Sequence, residues 1–200
     1  MAKNPVKEAL VIIDMQNDFC SSDGMMAKRG IDVSAVQSIV PNVQRAVEHA
    51  KRNECLIIYI QTHHHSLSNA PVWESRSEGV RQLCSTLWGK DFYGIRPEKN
   101  DLVIEKNRYD AFLGTNLDLI LRSQGINRVL FAGCTTNVCV ESTVRHGFML
   151  NYGTITLEDA TAAYSQNEHE NALFNLKQYF GKVRTINNYF KERELLSGNN

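Results

Sequence analysis

The sequence predicts a three-layer αβα protein built on a Rossmann-like, mostly parallel sheet of about six strands. Two observations predict it. Short apolar runs rich in branched residues recur along the chain without polar alternation, as in strands covered on both faces. Amphipathic stretches of helical spacing lie between several of these runs, the pattern of helical crossovers between parallel strands.

The first run, ALVII at 9–13, ends at Asp14. Val36, Ile39, Val40, Val43, Val47 and Ala50 then recur at helical spacing across 34–52, where Pro41 is expected to start or kink a helix. LIIYI (56–60), LVIE (102–105), RVLFAG (128–133), TITL (154–157) and KVRTI (182–186) are read as the remaining strands. Helices are predicted at 116–124, 137–145 and 166–180, stopped by Gly125, Gly147 and Gly181. The stretch 62–101 has little periodicity and is read as a lid or pocket wall.

No repeat, low-complexity segment or linker divides the 200 residues, so residues 1–200 are read as one domain. Lys plus Arg and Asp plus Glu both count 22, giving a net charge of zero, and no run of like charge recruits nucleic acid or an anionic membrane surface. The apolar runs are strand-length, far short of a membrane span, and the first residues lack the apolar middle of a secretory signal. A cytoplasmic protein is expected. The five cysteines, an odd number without metal-ligand spacing, are expected to be reduced.

In an open parallel sheet ligands sit beyond the carboxyl ends of the strands, so the residues that end the apolar runs are where chemistry is sought. Asp14 ends the first run and Lys106 follows LVIE. After VLFAG the chain passes through CTTN into a helix whose first turn holds Cys139. A cysteine needs a cation, a helix N-terminus or a base to become a nucleophile, and this trio offers all three. Asp14 is the expected proton acceptor, and the backbone N–H groups of Thr135 and Cys139 are the expected oxyanion hole. Taken singly, each residue is more often an ordinary cap, strand end or small apolar filler than a catalyst, and their joint placement is what points to chemistry. Cys20, Cys55, Cys84 and Cys134 are read as structural.

ALVIIDMQNDF, the lysine of VIEKNRYDAF, and AGCTTNVCVEST resemble, in order and spacing, the signature segments of the isochorismatase-like cysteine hydrolase superfamily. The resemblance spans nearly the whole chain. It implies a catalytic triad of Asp14, Lys106 and Cys139 and a cis peptide at Cys134–Thr135. Within the superfamily, KNRYDAF, LDLILRSQGI and NVCVESTVRHGF are most similar to ureidoacrylate amidohydrolases. That implies hydrolysis of a small ureido, carbamoyl or amide substrate through a covalent thioester or S-carbamoyl intermediate, with no cofactor. It also implies pocket roles for Phe19, Tyr109 and Trp88, and a homo-oligomer, dimer or tetramer.

IQTHHHSLSN departs from that subgroup, offering Thr62 and His64 where an asparagine and a tryptophan follow the second strand. His63, His64 and His65 raise an alternative, a nicotinamidase-like amidase with a divalent metal. Gln61 stands where those relatives place an aspartate, and adjacent residues of an extended segment point to opposite faces. No metal is therefore assigned. A second alternative is a non-catalytic thiol sensor on the same fold.

Overall fold

The computed structural model describes residues 6–75, 83–99 and 101–197. Six strands form one sheet: β1 (Glu8–Ile13), β2 (Leu56–Thr62), β3 (Leu102–Lys106), β4 (Arg128–Cys134), β5 (Gly153–Ala162) and β6 (Lys182–Arg184). Their order is β3-β2-β1-β4-β5-β6, and every neighbouring pair is parallel. The strand order reverses between β1 and β4, which opens a crevice at their carboxyl ends.

β1 shows why the sequence lacks alternation. Every residue of this central strand is buried, and its side chains divide between two cores. Leu10 and Ile12 pack with Val43, Ala46 and Ala50 of the helix Val40–Arg52 and with Ile186 and Phe190 of the helix Ile186–Ser197. Ala9, Val11 and Ile13 pack instead with Leu117 and Leu121 of the helix Leu117–Ser123, Val144 of Glu141–Met149 and Leu176 of Gln166–Tyr179. Burying each large aliphatic side chain contributes about 1.5–3 kcal/mol, so two apolar cores hold the sheet from both faces.

Local details refine the expected boundaries. The helical stretch across 34–52 is two helices, Ser34–Ser38 and Val40–Arg52, and Pro41 stands in the first turn of the second, where its missing N–H is no loss. Gly147 does not stop its helix, which continues to Met149. A Cβ at Gly147 would lie 3.2 Å from the Phe112 ring, so this glycine serves close packing. β5 runs on to Ala162 because Glu158 and Asp159 stay in the strand. The Asp159 carboxylate accepts from the Ile186 amide at 2.9 Å and pairs with Arg45 at 3.2 Å. KVRTI divides at Thr185, and Ile186 opens a further helix.

The stretch 62–101 holds two short helical turns, Pro71–Ser75 and Leu87–Lys90, and residues 76–82 and 100 of it lie outside the described residues. Its end returns to the sheet crevice, where Phe92 bridges Gln16 in antiparallel fashion and the Tyr93 amide donates to the Met15 carbonyl at 2.8 Å.

Candidate active site

β1, β2 and β3 lie side by side, and the register that pairs Thr62 with Lys106 sets the end of β2 between the ends of β1 and β3. Asp14, one residue past β1, takes φ 53° and is 1% exposed. Lys106, the last residue of β3, is likewise 1% exposed. An ammonium and a carboxylate so fully removed from water require one another. The Lys106 Nζ lies 2.7 Å from Asp14 Oδ2.

Cys139 arrives from β4. The Cys134–Thr135 peptide is cis, as the resemblance implies, and Thr136–Val140 makes a wide π-type turn that runs straight into the helix Glu141–Met149. The Thr135 carbonyl accepts from the amides of Val138 and Val140, on either side of Cys139. Thr136 is tied to the next helix by a 2.8 Å hydrogen bond between its hydroxyl and His169 Nδ1. Thus fixed, the Cys139 sulfur lies 3.5 Å from Lys106 Nζ.

A lysine ammonium has three hydrogens. Those of Lys106 are directed to the Thr62 hydroxyl at 2.7 Å, the Arg108 carbonyl at 3.0 Å and the Cys139 sulfur at 3.5 Å. Asp14 Oδ1 accepts from the Thr62 hydroxyl at 2.9 Å. Asp14 Oδ2 makes the 2.7 Å charged contact with the same ammonium.

The sequence offers Cys139 a cation, a helix N-terminus and a base, and the electrostatics show that burial outweighs the cation at rest. Burial pushes the Cys139 thiol well above the ordinary cysteine range; Lys106 opposes that shift and the Asp14 charge adds to it. Burial works against the Lys106 ammonium, but Asp14 and Cys139 outweigh it and hold its pKa above the usual lysine value. The resting site is therefore an ion pair beside a neutral thiol.

These residues form part of the wall of a cavity of about 240 Å³. Phe19, Tyr109, Thr135 and Cys139 line it, with His64, Arg108 and Tyr164. Trp88 does not: it is 48% exposed, and its carbonyl instead accepts from the Asn17 side chain at 2.8 Å. Its helical turn is tied to the helix Asn17–Cys20 through that bond. Trp73, from the same excursion, packs at a tilt against the Tyr109 ring, centroids 4.7 Å apart, and against His64 at 5.9 Å.

The three histidines do not converge on one point. His63 pairs with Glu105 at 3.1 Å and its ring lies edge-on to that of the exposed His65 at 5.5 Å, whereas His64 is buried in the cavity wall. Gln61 donates to the Lys90 carbonyl at 2.7 Å. Burial, with Lys106 second, pulls the His64 pKa down to about 4, so the ring is neutral at neutral pH.

Of the other cysteines, Cys134 also reaches the cavity wall; its thiol donates to the Asp14 carbonyl at 3.2 Å and lies 3.7 Å from the Cys20 sulfur. Cys84 and Cys55 are buried away from that wall. Sequence reasoning met Thr62 only as a departure from the subgroup, without a role beside Asp14 and Lys106, and passed over Gln16. The strand-end rule reaches Thr62 only once β2 is seen to extend past its apolar run through Gln61. Gln16 follows Asp14 by two residues, and its amide holds the Thr62 backbone from both sides, accepting at 2.8 Å and donating at 2.9 Å.

The family profile described as Isochorismatase domain matches residues 8–188. A ureidoacrylate amidohydrolase, RutB, from Enterobacter sp. (strain 638) is 37% identical over 204 residues, covering 91% of this chain and 87% of its own. Among solved structures, a cysteine hydrolase from Pseudomonas syringae pv. phaseolicola 1448A superposes with a TM-score of 0.84 at 25% identity, over 96% of this chain and 94% of that one. N-carbamoylsarcosine amidase from Thermoplasma acidophilum superposes with a TM-score of 0.73 at 29% identity, over 90% and 97% of the two chains.

Proposed function

The chain belongs to the isochorismatase domain family, and on that premise we propose that it is a cysteine-dependent amidohydrolase acting on a small ureido, carbamoyl or amide substrate. The coarser statement, a hydrolase of carbon–nitrogen bonds other than peptide bonds, rests on relatives named as amidohydrolase and amidase. The observation that carries the finer one is the Cys139 sulfur 3.5 Å from a Lys106 ammonium that is itself paired with Asp14 at 2.7 Å, at the wall of a cavity.

The chemistry follows from that arrangement. Asp14 takes the Cys139 proton as the sulfur attacks the substrate carbonyl carbon, so no free thiolate has to persist in a buried site. Lys106 stays charged throughout and offsets the negative charge as it passes from carboxylate to sulfur and carbonyl oxygen. The backbone N–H groups of Thr135 and Cys139, both in the cavity wall, are the proposed donors to that oxygen. The carbon–nitrogen bond then breaks and Asp14 returns the proton to the departing amine. Water, deprotonated by Asp14, attacks the thioester or S-carbamoyl carbon; the acid or carbamate leaves and the thiol is restored.

Relatives named for ureidoacrylate and N-carbamoylsarcosine support a carbamoyl nitrogen in the substrate. Phe19 and Tyr109 supply aromatic walls suited to a small planar group. The test is ammonia release from ureidoacrylate, biuret, nicotinamide and maleamate by the wild type and by Cys139→Ala. Release by the wild type with none by the folded variant, and a substrate-derived mass adduct on Cys139, are expected. Full activity of Cys139→Ala would overturn the reading.

A further inference from the structure

The hydroxyl of Thr62 lies between the two charged residues of the site, and its hydrogen-bond arithmetic is closed. A threonine hydroxyl has one hydrogen. It goes to Asp14 Oδ1 at 2.9 Å, while the oxygen accepts from Lys106 at 2.7 Å. Thr62 is 2% exposed, so water does not compete for either bond. Its backbone is equally fixed, by the paired hydrogen bonds from Gln16 at 2.8 and 2.9 Å. Gln16 is itself fully buried, and its remaining N–H donates to the Lys90 carbonyl at 2.8 Å.

We propose that Thr62 is a positioning residue of this site: by occupying Asp14 Oδ1 and one Lys106 hydrogen, it leaves Asp14 Oδ2 as the oxygen that exchanges the Cys139 proton. The inference rests on the cysteine amidohydrolase reading and adds to it the choice of base oxygen and the residue that makes the choice.

The alternatives for Asp14 are few. Lys106 also reaches the Arg108 carbonyl and the Cys139 sulfur, so its 2.7 Å contact with Oδ2 is one of several it makes. A carboxylate oxygen has more than one lone pair, so Oδ2 keeps one open beside its Lys106 contact at the cavity wall. With the hydroxyl gone, Oδ1 and Oδ2 become equivalent in hydrogen bonding. The carboxylate is then free to turn, and the Lys106 hydrogen formerly held by Thr62 is free to point at it. Both changes remove the base from the thiol. Loss of the donor to Oδ1 also removes a hydrogen bond that favours the charged carboxylate.

The test compares Thr62→Val, which keeps shape without the hydroxyl, with Thr62→Ser, which keeps the hydroxyl. Cys139→Ala runs beside them on whichever substrate the wild type turns over. Thr62→Val is expected to lose roughly 10²-fold in kcat, the scale of a misplaced general base, with KM changed much less. The acidic limb of its kcat/KM profile should move to higher pH, while Thr62→Ser keeps the wild-type limb and most of the rate.

A Thr62→Val enzyme with wild-type kcat and limb, beside an inactive Cys139→Ala, overturns the role of Thr62 and leaves the cysteine reading standing. A Thr62→Ser enzyme as impaired as Thr62→Val also overturns it, because the hydroxyl would then not be the active feature. An active Cys139→Ala overturns the underlying reading instead. Should Thr62→Val fold poorly, the limb measured on its soluble fraction still decides, since a purely structural defect lowers the amount of active enzyme without moving its pH profile.

Discussion

The Lys106 ammonium stands 3.5 Å from the Cys139 sulfur, yet that thiol is held neutral. A cation at this distance ordinarily favours thiolate. Here the same cation is shared with Asp14 at 2.7 Å, and burial weighs more than either charge. A thiolate in the resting site would place two anions beside one cation.

The first prediction follows directly. Cys139 stays protonated in the free enzyme at neutral pH, and its ionisation comes above the ordinary thiol value of 9.0. The ultraviolet thiolate absorbance of wild type minus Cys139→Ser, scanned upward from neutral pH, should show no step until beyond that value. A step near neutral pH would mean that Lys106 and the helix start dominate after all. The sign for stability is fixed by the same shift: the unfolded thiol ionises first, so Cys139 makes the fold less stable as pH rises past 9.0.

The ion pair itself gives a second prediction. Asp14→Asn leaves the Lys106 charge buried without a counter-charge, a loss on the order of 3–5 kcal/mol. Lys106 contributes stability that is complete below the ordinary lysine value of 10.5 and is lost as pH climbs through its raised folded value, so the measurement belongs near neutral pH. Denaturant unfolding should show Asp14→Asn strongly destabilised, and the double variant Asp14→Asn with Lys106→Met should recover much of the loss. Neither should turn over substrate. Stability of the single variant within about 1 kcal/mol of wild type would show that the pair is not the buried, mutually dependent unit described.

Much of this site was legible in the sequence, for a physical reason. Asp14 and Lys106 follow apolar runs, and polar residues at the carboxyl ends of buried parallel strands have few places to be except the ligand crevice. Thr62 obeys the same rule, but Gln61 before it ends the apolar run early and hides the last residue of β2. Its role also depends on the register that sets it beside Lys106, and no local pattern encodes register between strands. Trp88 was misplaced for a related reason, because no periodic pattern orients a short turn in an irregular excursion. Gly147 looked like a helix stop because composition does not distinguish a glycine that ends a helix from one that lets Phe112 approach it.

His64 yields a third prediction. Its folded pKa of about 4 lies below the ordinary 6.5, chiefly through burial, so the unfolded chain takes up the proton first as pH falls. Stability is therefore complete above 6.5 and declines as pH drops toward about 4. The contribution is at most about 3 kcal/mol, reduced by solvent screening at the cavity. His64→Phe keeps a ring against Trp73 and removes the titration. Unfolding free energies measured across that window should fall less for His64→Phe than for wild type. Parallel decline in the two would show that the acid sensitivity lies elsewhere.

A fourth prediction concerns Gly133, next to last in β4 and close before the turn that carries Cys139. It pairs with Ile13 across β1 and β4, has φ 108°, and has a register shift beside it toward β5. A Cβ built there would lie 2.0 Å from the Ile13 carbonyl oxygen and 2.7 Å from its nitrogen. Both are backbone atoms of a central strand, so no side chain can swing away to make room. Gly30 is the useful contrast: its φ is 78°, but nothing lies within 4 Å of its Cβ position. Gly30→Ala should cost only the left-handed backbone strain, about 1–2 kcal/mol. Gly133→Ala adds a clash that must push β4 away from β1, and it should exceed about 4 kcal/mol or prevent soluble expression. Because Asp14 follows Ile13 and Cys134 follows Gly133, any folded fraction of Gly133→Ala should also lose activity, through separation of Asp14 from Cys139. Chemical denaturation of the two variants side by side tests this: costs within about 1 kcal/mol of each other would mean that the strands part more readily than their burial implies.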